Sequence, residues 1–365
     1  MNTFYLKLLV ALKVILYFCN IINLAIPMKL SCLICTIVLL AIIGCSEKPL
    51  DGNNSIAMFE QGAYPYVVSH EDTYYYTMQS TMADTIELFA VKDLLHLKQN
   101  TGKIIWTSTK CEMYHIWSPE LHRINNSWYI YFELDNGNTD NHQLYVLENQ
   151  SDDPMEGEWT LRGPIITDLE CNFGIHPTSV IVDGRQYILW SGWQKQRTET
   201  ETQCIFIAEM ENPWTLKSER VLISKPEFEW ERQWINPDGS RSAYPIFVNE
   251  NPQAYVSPSG KNVVVTYSAS GIWTIFNSLG MLYAPVGSNL LDAKSWIKST
   301  EPLFTNIPNS DIFGTSNVSI VSTHDSSTTY MLFQAKRHDN EHVVSGIRMK
   351  RIEWDERGLP IFGQP

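Results

Sequence analysis

Basic residues, cysteines and helical patterning are all scarce in this chain, and each scarcity narrows what the chain can be. Of 365 residues, 27 are Lys or Arg against 40 Asp or Glu. No basic stripe interrupts that acidic background, so nucleic acid is disfavoured and not expected as a partner. Seven cysteines are present, and Cys19, Cys32, Cys35 and Cys45 fall in or at the end of an amino-terminal block. The other three, Cys111, Cys171 and Cys204, have neither Cys-x-x-Cys nor zinc spacing and are too few for a disulfide framework. They are expected to be buried thiols, joined in one disulfide at most.

Residues 1–44 carry Lys7, Lys13 and Lys29 as their only charges and hold two apolar runs, about Phe4 to Pro27 and Leu30 to Gly44. Without those three lysines the net charge moves from -13 to -16, because no Asp or Glu precedes Glu47. A basic start at Met28-Lys29, an apolar stretch and the ending Ile43-Gly44-Cys45-Ser46 resemble a bacterial lipoprotein signal with Cys45 as the lipidated residue. The expectation is a targeting segment over 1–44, a short tether over 45–60 and a folded body over 61–365. The body would be held on a membrane by its lipid, facing the periplasm or the cell surface. An uncleaved transmembrane anchor is the alternative.

The body repeats itself. A small or polar residue, usually beside proline, opens a short apolar strand, and after a turn comes a strand rich in tyrosine and tryptophan. The copies begin at Tyr64-Pro65, Ser118-Pro119, His176-Pro177, Glu250-Asn251-Pro252 and Asn317-Val318, about 50 to 75 residues apart. Alternating apolar and polar positions, with almost no helical periodicity after Cys45, make the body all-β. The copies predict a five-bladed β-propeller, with a plain β-sandwich as the alternative. In a propeller the innermost strands line a central channel, so Tyr64, Ser118, His176, Glu250 and Asn317 are expected to converge at one mouth.

Ile116-Trp117-Ser118-Pro119-Glu120-Leu121-His122 followed by Trp128-Tyr129-Ile130-Tyr131-Phe132 resembles the Trp-Ala-Pro-Glu-Leu-His segment and next strand of glycoside hydrolase family 43. Asp135-Asn136-Gly137-Asn138, Leu189-Trp190-Ser191-Gly192-Trp193, Val248-Asn249-Glu250 and Leu279-Gly280-Met281-Leu282 are similar to that family too, within it to the exo-acting α-L-arabinofuranosidases. The resemblance implies a five-bladed propeller and an inverting hydrolase of terminal arabinofuranose, or a similar pentose, in plant-type oligosaccharides. Inversion needs a general acid and a general base on opposite faces of the sugar. The family adds a third carboxylate that tunes the acid.

By that resemblance Glu250 is the general acid, although Asn251 stands where glycine usually follows. The base aspartate is replaced by Tyr64, and the tuning aspartate by His176. A tyrosine, ordinarily titrating near 10, is a poor base at neutral pH. Glu112, Asp168, Glu170 and His176 are candidates for a displaced base, and Tyr64 as a nucleophile is a further variant. Trp117, Trp193, Glu120, His122 and Arg348 are candidate substrate-binding residues, with Tyr64 as another aromatic platform. No cofactor is required. A channel calcium ion is disfavoured because Asn317 replaces the family's histidine, and no metal ligand is assigned. The alternative to an enzyme is a monomeric, catalytically inactive propeller that binds oligosaccharides at the cell surface.

Overall fold

The computed structural model describes residues 55–80, 84–99, 101–195, 202–233, 247–306, 312–336 and 345–365. The leader and Cys45 lie outside the described residues. Strand β1 (Ile56–Phe59) comes first, and β2 (Tyr66–His70), β3 (Thr73–Thr77), β4 (Thr85–Val91) and β5 (Lys103–Thr107) form the first blade. The second is β6 (Tyr114–Ile124), β7 (Ser127–Asp135), β8 (Gln143–Asn149) and β9 (Thr160–Leu161). In the third, β10 (Gly174–Val182), β11 (Arg185–Trp193) and β12 (Thr202–Asn212) are followed by β13 (Thr215–Leu216) and β14 (Val221–Ser224), both paired with β12.

The fourth blade contains β15 (Phe247–Val256), β16 (Asn262–Ala269), β17 (Ser278–Pro285) and β18 (Ile297–Lys298). Blade five is β19 (Phe313–Ser322), β20 (Thr329–Lys336) and β21 (Gly346–Trp354), with β22 (Pro360–Ile361) alongside β21. The outer strand of that last blade is β1, antiparallel to β21 with Ile56 opposite Met349 and Ala57 opposite Arg348. The segment expected to be a tether over 45–60 therefore contributes a strand to the propeller. Pairing the two ends of the chain in one blade gives β1 backbone partners it could not find alone.

Each inner strand lies against the next, and β19 lies against β2, so the five surround a central channel. Between the blades sit five apolar clusters. Tyr76 and Phe89 pack with Leu332 and Met349 between blades five and one. Trp128 and Phe132 pack with Tyr75 and Leu88, and Trp190 and Phe206 pack with Tyr131 and Val146. Tyr267 and Val265 meet Leu189 and Ile207, while Phe333 and Val318 meet Leu279 and Phe304. The aromatic residues of the repeat thus supply the cement between blades, where flat rings fill the space left by twisted sheets.

The four X-Pro pairs and the Asn317-Val318 pair have a common geometric effect. Tyr64, Ser118, His176, Asn251 and Asn317 all adopt a left-handed backbone, with φ of 51°, 37°, 54°, 51° and 49°. In β6, β10 and β15 the ladder skips over the pair, resuming after Trp117 at Glu120, after Ile175 at Thr178 and after Glu250 at Gln253. Proline cannot donate to a ladder, so it is tolerated at this bulge. In the fourth repeat the kinked residue is Asn251, with Glu250 one position earlier. Five kinks at one level of the ring are a localised strain, of the kind retained at functional sites.

Candidate active site

Glu250 and His176 come from the mouths of β15 and β10. His176 Nε2 lies 3.9 Å from Glu250 Oε2, and both side chains are buried. Burial pushes the Glu250 carboxyl up to about 7, with a backbone hydrogen bond at Ile272 opposing it. Burial also holds His176 neutral, lowering it to about 3, and His142 adds to that effect. A carboxylic acid still protonated near neutral pH beside a neutral imidazole can deliver a proton to a leaving oxygen.

Tyr64 covers the other side of His176, its ring centroid 4.8 Å away and its plane tilted by 32°. Its backbone N–H donates to Gln334 Oε1 at 3.2 Å. Loss of hydration, then the charges of Glu250 and Glu133, hold the Tyr64 hydroxyl well above its usual range. It is therefore a protonated phenol at neutral pH, unable to take a proton from water. Asn317 completes this side: its Nδ2 donates to Gln334 Oε1 at 2.7 Å, and its Oδ1 accepts from Ser268 Oγ at 3.0 Å.

Sequence reasoning missed Glu133, on β7. Its carboxylate oxygens lie 2.8 and 3.0 Å from Ser118 Oγ, and one is 3.5 Å from His176 Nδ1. The residue is fully buried, and that burial pushes its carboxyl up to about 8. The available signal was a carboxylate inside the otherwise apolar run Tyr129-Ile130-Tyr131-Phe132-Glu133-Leu134, which a strand buried on both faces leaves no room to solvate.

Deeper in the channel, Glu120 Oε2 pairs with His122 Nε2 at 3.2 Å, and Gln253 donates to the other Glu120 oxygen. The Tyr66 hydroxyl meets His122 Nδ1 at 3.3 Å. Burial raises Glu120 well above the carboxylate range and lowers His122 to about 3. These two candidates are thus neighbours of one another. Trp117 is half-buried and rests on His142, with ring centroids 4.1 Å apart, while Asp135 holds His115 at 2.8 Å behind it.

Other candidates stand elsewhere. Trp193 is 2% exposed and stacked on Phe173 at 3.7 Å, so its ring belongs to a packed cluster and offers no open platform. Arg348 sits on β21, donating from Nε to Ser55 Oγ at 2.9 Å and from Nη2 to Ser55 O at 3.0 Å. It fastens the closing strand. Asp168 is engaged by Arg220 Nε at 3.0 Å, and Glu112 and Glu170 are exposed. Of the three thiols expected to be buried, Cys171 and Cys204 are, whereas Cys111 is exposed, and none of the three is in a disulfide.

Both ends of the Asn317 amide are engaged, and among the described residues no three His, Cys, Asp or Glu side chains are grouped to hold a metal ion.

The model of glycosyl hydrolases family 43 matches residues 59–360, nearly the whole propeller. The chain belongs to this family. Among its family 43 relatives, an extracellular exo-alpha-(1->5)-L-arabinofuranosidase of Streptomyces avermitilis is 31% identical over 84% of this chain and 62% of its own length. The chain thus spans less than two thirds of that enzyme. Another exo-alpha-(1->5)-L-arabinofuranosidase, of Streptomyces chartreusis, is 30% identical over 77% of this chain and 82% of its own. The crystal structure of an alpha-L-arabinofuranosidase from Lactobacillus brevis superposes with a TM-score of 0.73 at 28% identity, covering 84% of this chain and 95% of that one. Family 43 membership accounts for the five blades.

Proposed function

We propose that this protein is an exo-acting glycoside hydrolase that removes terminal α-L-arabinofuranose, or a similar pentose, from plant-type oligosaccharides with inversion. The observation that carries the proposal is Glu250, a buried carboxyl pushed up to about 7 at the channel mouth. Protonated Glu250 gives its proton to the glycosidic oxygen as the bond to the anomeric carbon breaks. His176 stands too close to Glu250, at 3.9 Å, to activate a water on the opposite face of the sugar, which needs roughly 6.5–9.5 Å between acid and base. Its place is beside the acid, as a tuning group. Tyr64 occupies the base position, and water attacks there without a carboxylate to assist it.

Two further features belong to the proposal. The Cys45 lipid would hold a monomeric propeller on a membrane, at the periplasmic or cell surface. Trp117, Glu120 and His122 would meet the sugar or line the channel beneath it.

The test is sugar release from a panel of arabino- and xylo-oligosaccharides, with Glu250→Ala in parallel and the anomer of the product followed by NMR. Release of the inverted pentose that vanishes in Glu250→Ala supports the proposal. A second reading, an inactive propeller that binds oligosaccharides, is favoured by the protonated phenol at the base position. Binding without release by the wild type would establish it and overturn the first.

A further inference from the structure

We propose that Glu133 is a relocated tuning carboxylate, coupled through Ser118 and His176 to Glu250, so that the two carboxyls at the ends of this chain share one proton. The inference rests on the reading of Glu250 as the general acid. Four side chains from three blades make the chain: Glu133 on β7, Ser118 on β6, His176 on β10 and Glu250 on β15.

The hydrogen-bond arithmetic fixes what this chain can do. Ser118 has one hydroxyl hydrogen and lies 2.8 and 3.0 Å from the Glu133 oxygens and 3.2 Å from His176 Nδ1. A neutral imidazole has one N–H. When Glu133 is ionised, Ser118 donates to it and accepts from Nδ1–H, which leaves the Nε2 lone pair facing a protonated Glu250. When Glu133 is protonated the chain reverses: Glu133 donates to Ser118, Ser118 donates to Nδ1, and Nε2–H faces an ionised Glu250. Both arrangements hold the same protons and differ only in which carboxyl carries one.

Proton affinities of the two ends are close, about 8 for Glu133 and about 7 for Glu250, both raised by burial. The last link, at 3.9 Å, needs about 1 Å of movement to become a hydrogen bond, a tightening common when substrate enters. Other ionisable groups facing the chain do not supply its proton: Tyr64 stays protonated and His142 is kept neutral by burial, while Glu120, also raised by burial, pushes Glu133 further up. Raised further than Glu250, Glu133 stays protonated where Glu250 begins to ionise, and through the chain it can return the shared proton to Glu250. Once Glu250 has protonated the leaving oxygen, the proton released by the attacking water restores the pair, and the turnover balances.

The geometry depends on the Ser118 kink. Without the bulge between Trp117 and Glu120, Ser118 would pair in register and point away from β7's Glu133. Ser118 also stands where the family segment has alanine, which has no hydroxyl to relay.

The test is 15N NMR of the imidazole nitrogens in the full chain, with His176 assigned by its loss in His176→Asn. In the wild type His176 is expected to remain neutral while its tautomer moves toward Nε2–H as Glu250 ionises near about 7 and returns toward Nδ1–H as Glu133 ionises near about 8. Glu133→Gln and, independently, Ser118→Ala are expected to abolish the return step. A tautomer that ignores pH in the wild type, or a return step unchanged in both variants, overturns the proposal. Sugar release is read separately: an inactive wild type overturns the glycosidase reading, while the tautomer titration still decides the coupling. In an active protein Glu133→Gln lowers kcat about tenfold or more with KM retained.

Discussion

Tyr64 packs against His176 with ring centroids 4.8 Å apart and planes tilted by 32°, so the two residues expected from the sequence to stand in for carboxylates are partners in one aromatic pair. The phenol gains a neighbour at the cost of a base. Returning a carboxylate is therefore expected to raise hydrolysis: Tyr64→Asp increases turnover of an arabinofuranoside by about 100-fold. Initial rates measure it, and a rate unchanged by the substitution would show that the base position has no part in the reaction.

As the proposed general acid, Glu250 is expected to set the alkaline limb. Its carboxyl is raised to about 7, so kcat/KM should hold below that pH and fall as the acid ionises above it. Glu250→Gln should reduce cleavage of natural glycosides by at least about 100-fold, and much less for an aryl glycoside whose leaving group needs no proton. A pH–rate profile on both substrate types checks the assignment.

Stability should peak in the mildly acidic range. His122 and His176 are depressed to about 3 in the folded protein, so as pH falls below the ordinary histidine value the unfolded chain binds more protons and stability is lost. Glu133 is raised to about 8, so as pH rises above the ordinary carboxylate value the folded protein holds the extra proton and stability falls until about 8. Melting temperature against pH should show both slopes, and Glu133→Gln should flatten the alkaline one alone.

Gly280 is required by the ring opposite it. It pairs across the ladder with Tyr267, whose ring would stand 2.3 Å from a Cβ at position 280. Gly280→Ala would displace that ring and its 2.8 Å hydrogen bond to Glu231, a loss of about 1–3 kcal/mol by denaturant unfolding.

Arg348 should matter to stability and leave substrate affinity alone. Arg348→Ala removes two hydrogen bonds to Ser55 ahead of the closing strand, worth about 1–2 kcal/mol together. A raised KM with unchanged melting temperature would instead return Arg348 to the substrate.

The repeat, the five blades and the placing of Glu250 on an inner strand beside His176 were legible because they are local: an X-Pro pair, an alternating strand and a turn recur in order along the chain. The aromatic residues were harder. Trp117 and Trp193 are each part of a motif, yet one is half-exposed and the other packed on Phe173, because exposure depends on what the neighbouring segment places above the ring. Arg348 and the strand Ile56–Phe59 were misplaced for a similar reason. Their partners lie at opposite ends of the sequence.

What the sequence determined by itself, then, was the architecture, since periodicity and residue identity are properties of the chain alone. Only the tertiary structure brought Glu133 to the site. It lies 15 residues from Ser118 and on a different blade from both His176 and Glu250. Closure of the ring and the kink at Ser118 put these groups within reach of one another, and burial in that closed channel then shifts the carboxyls toward neutrality.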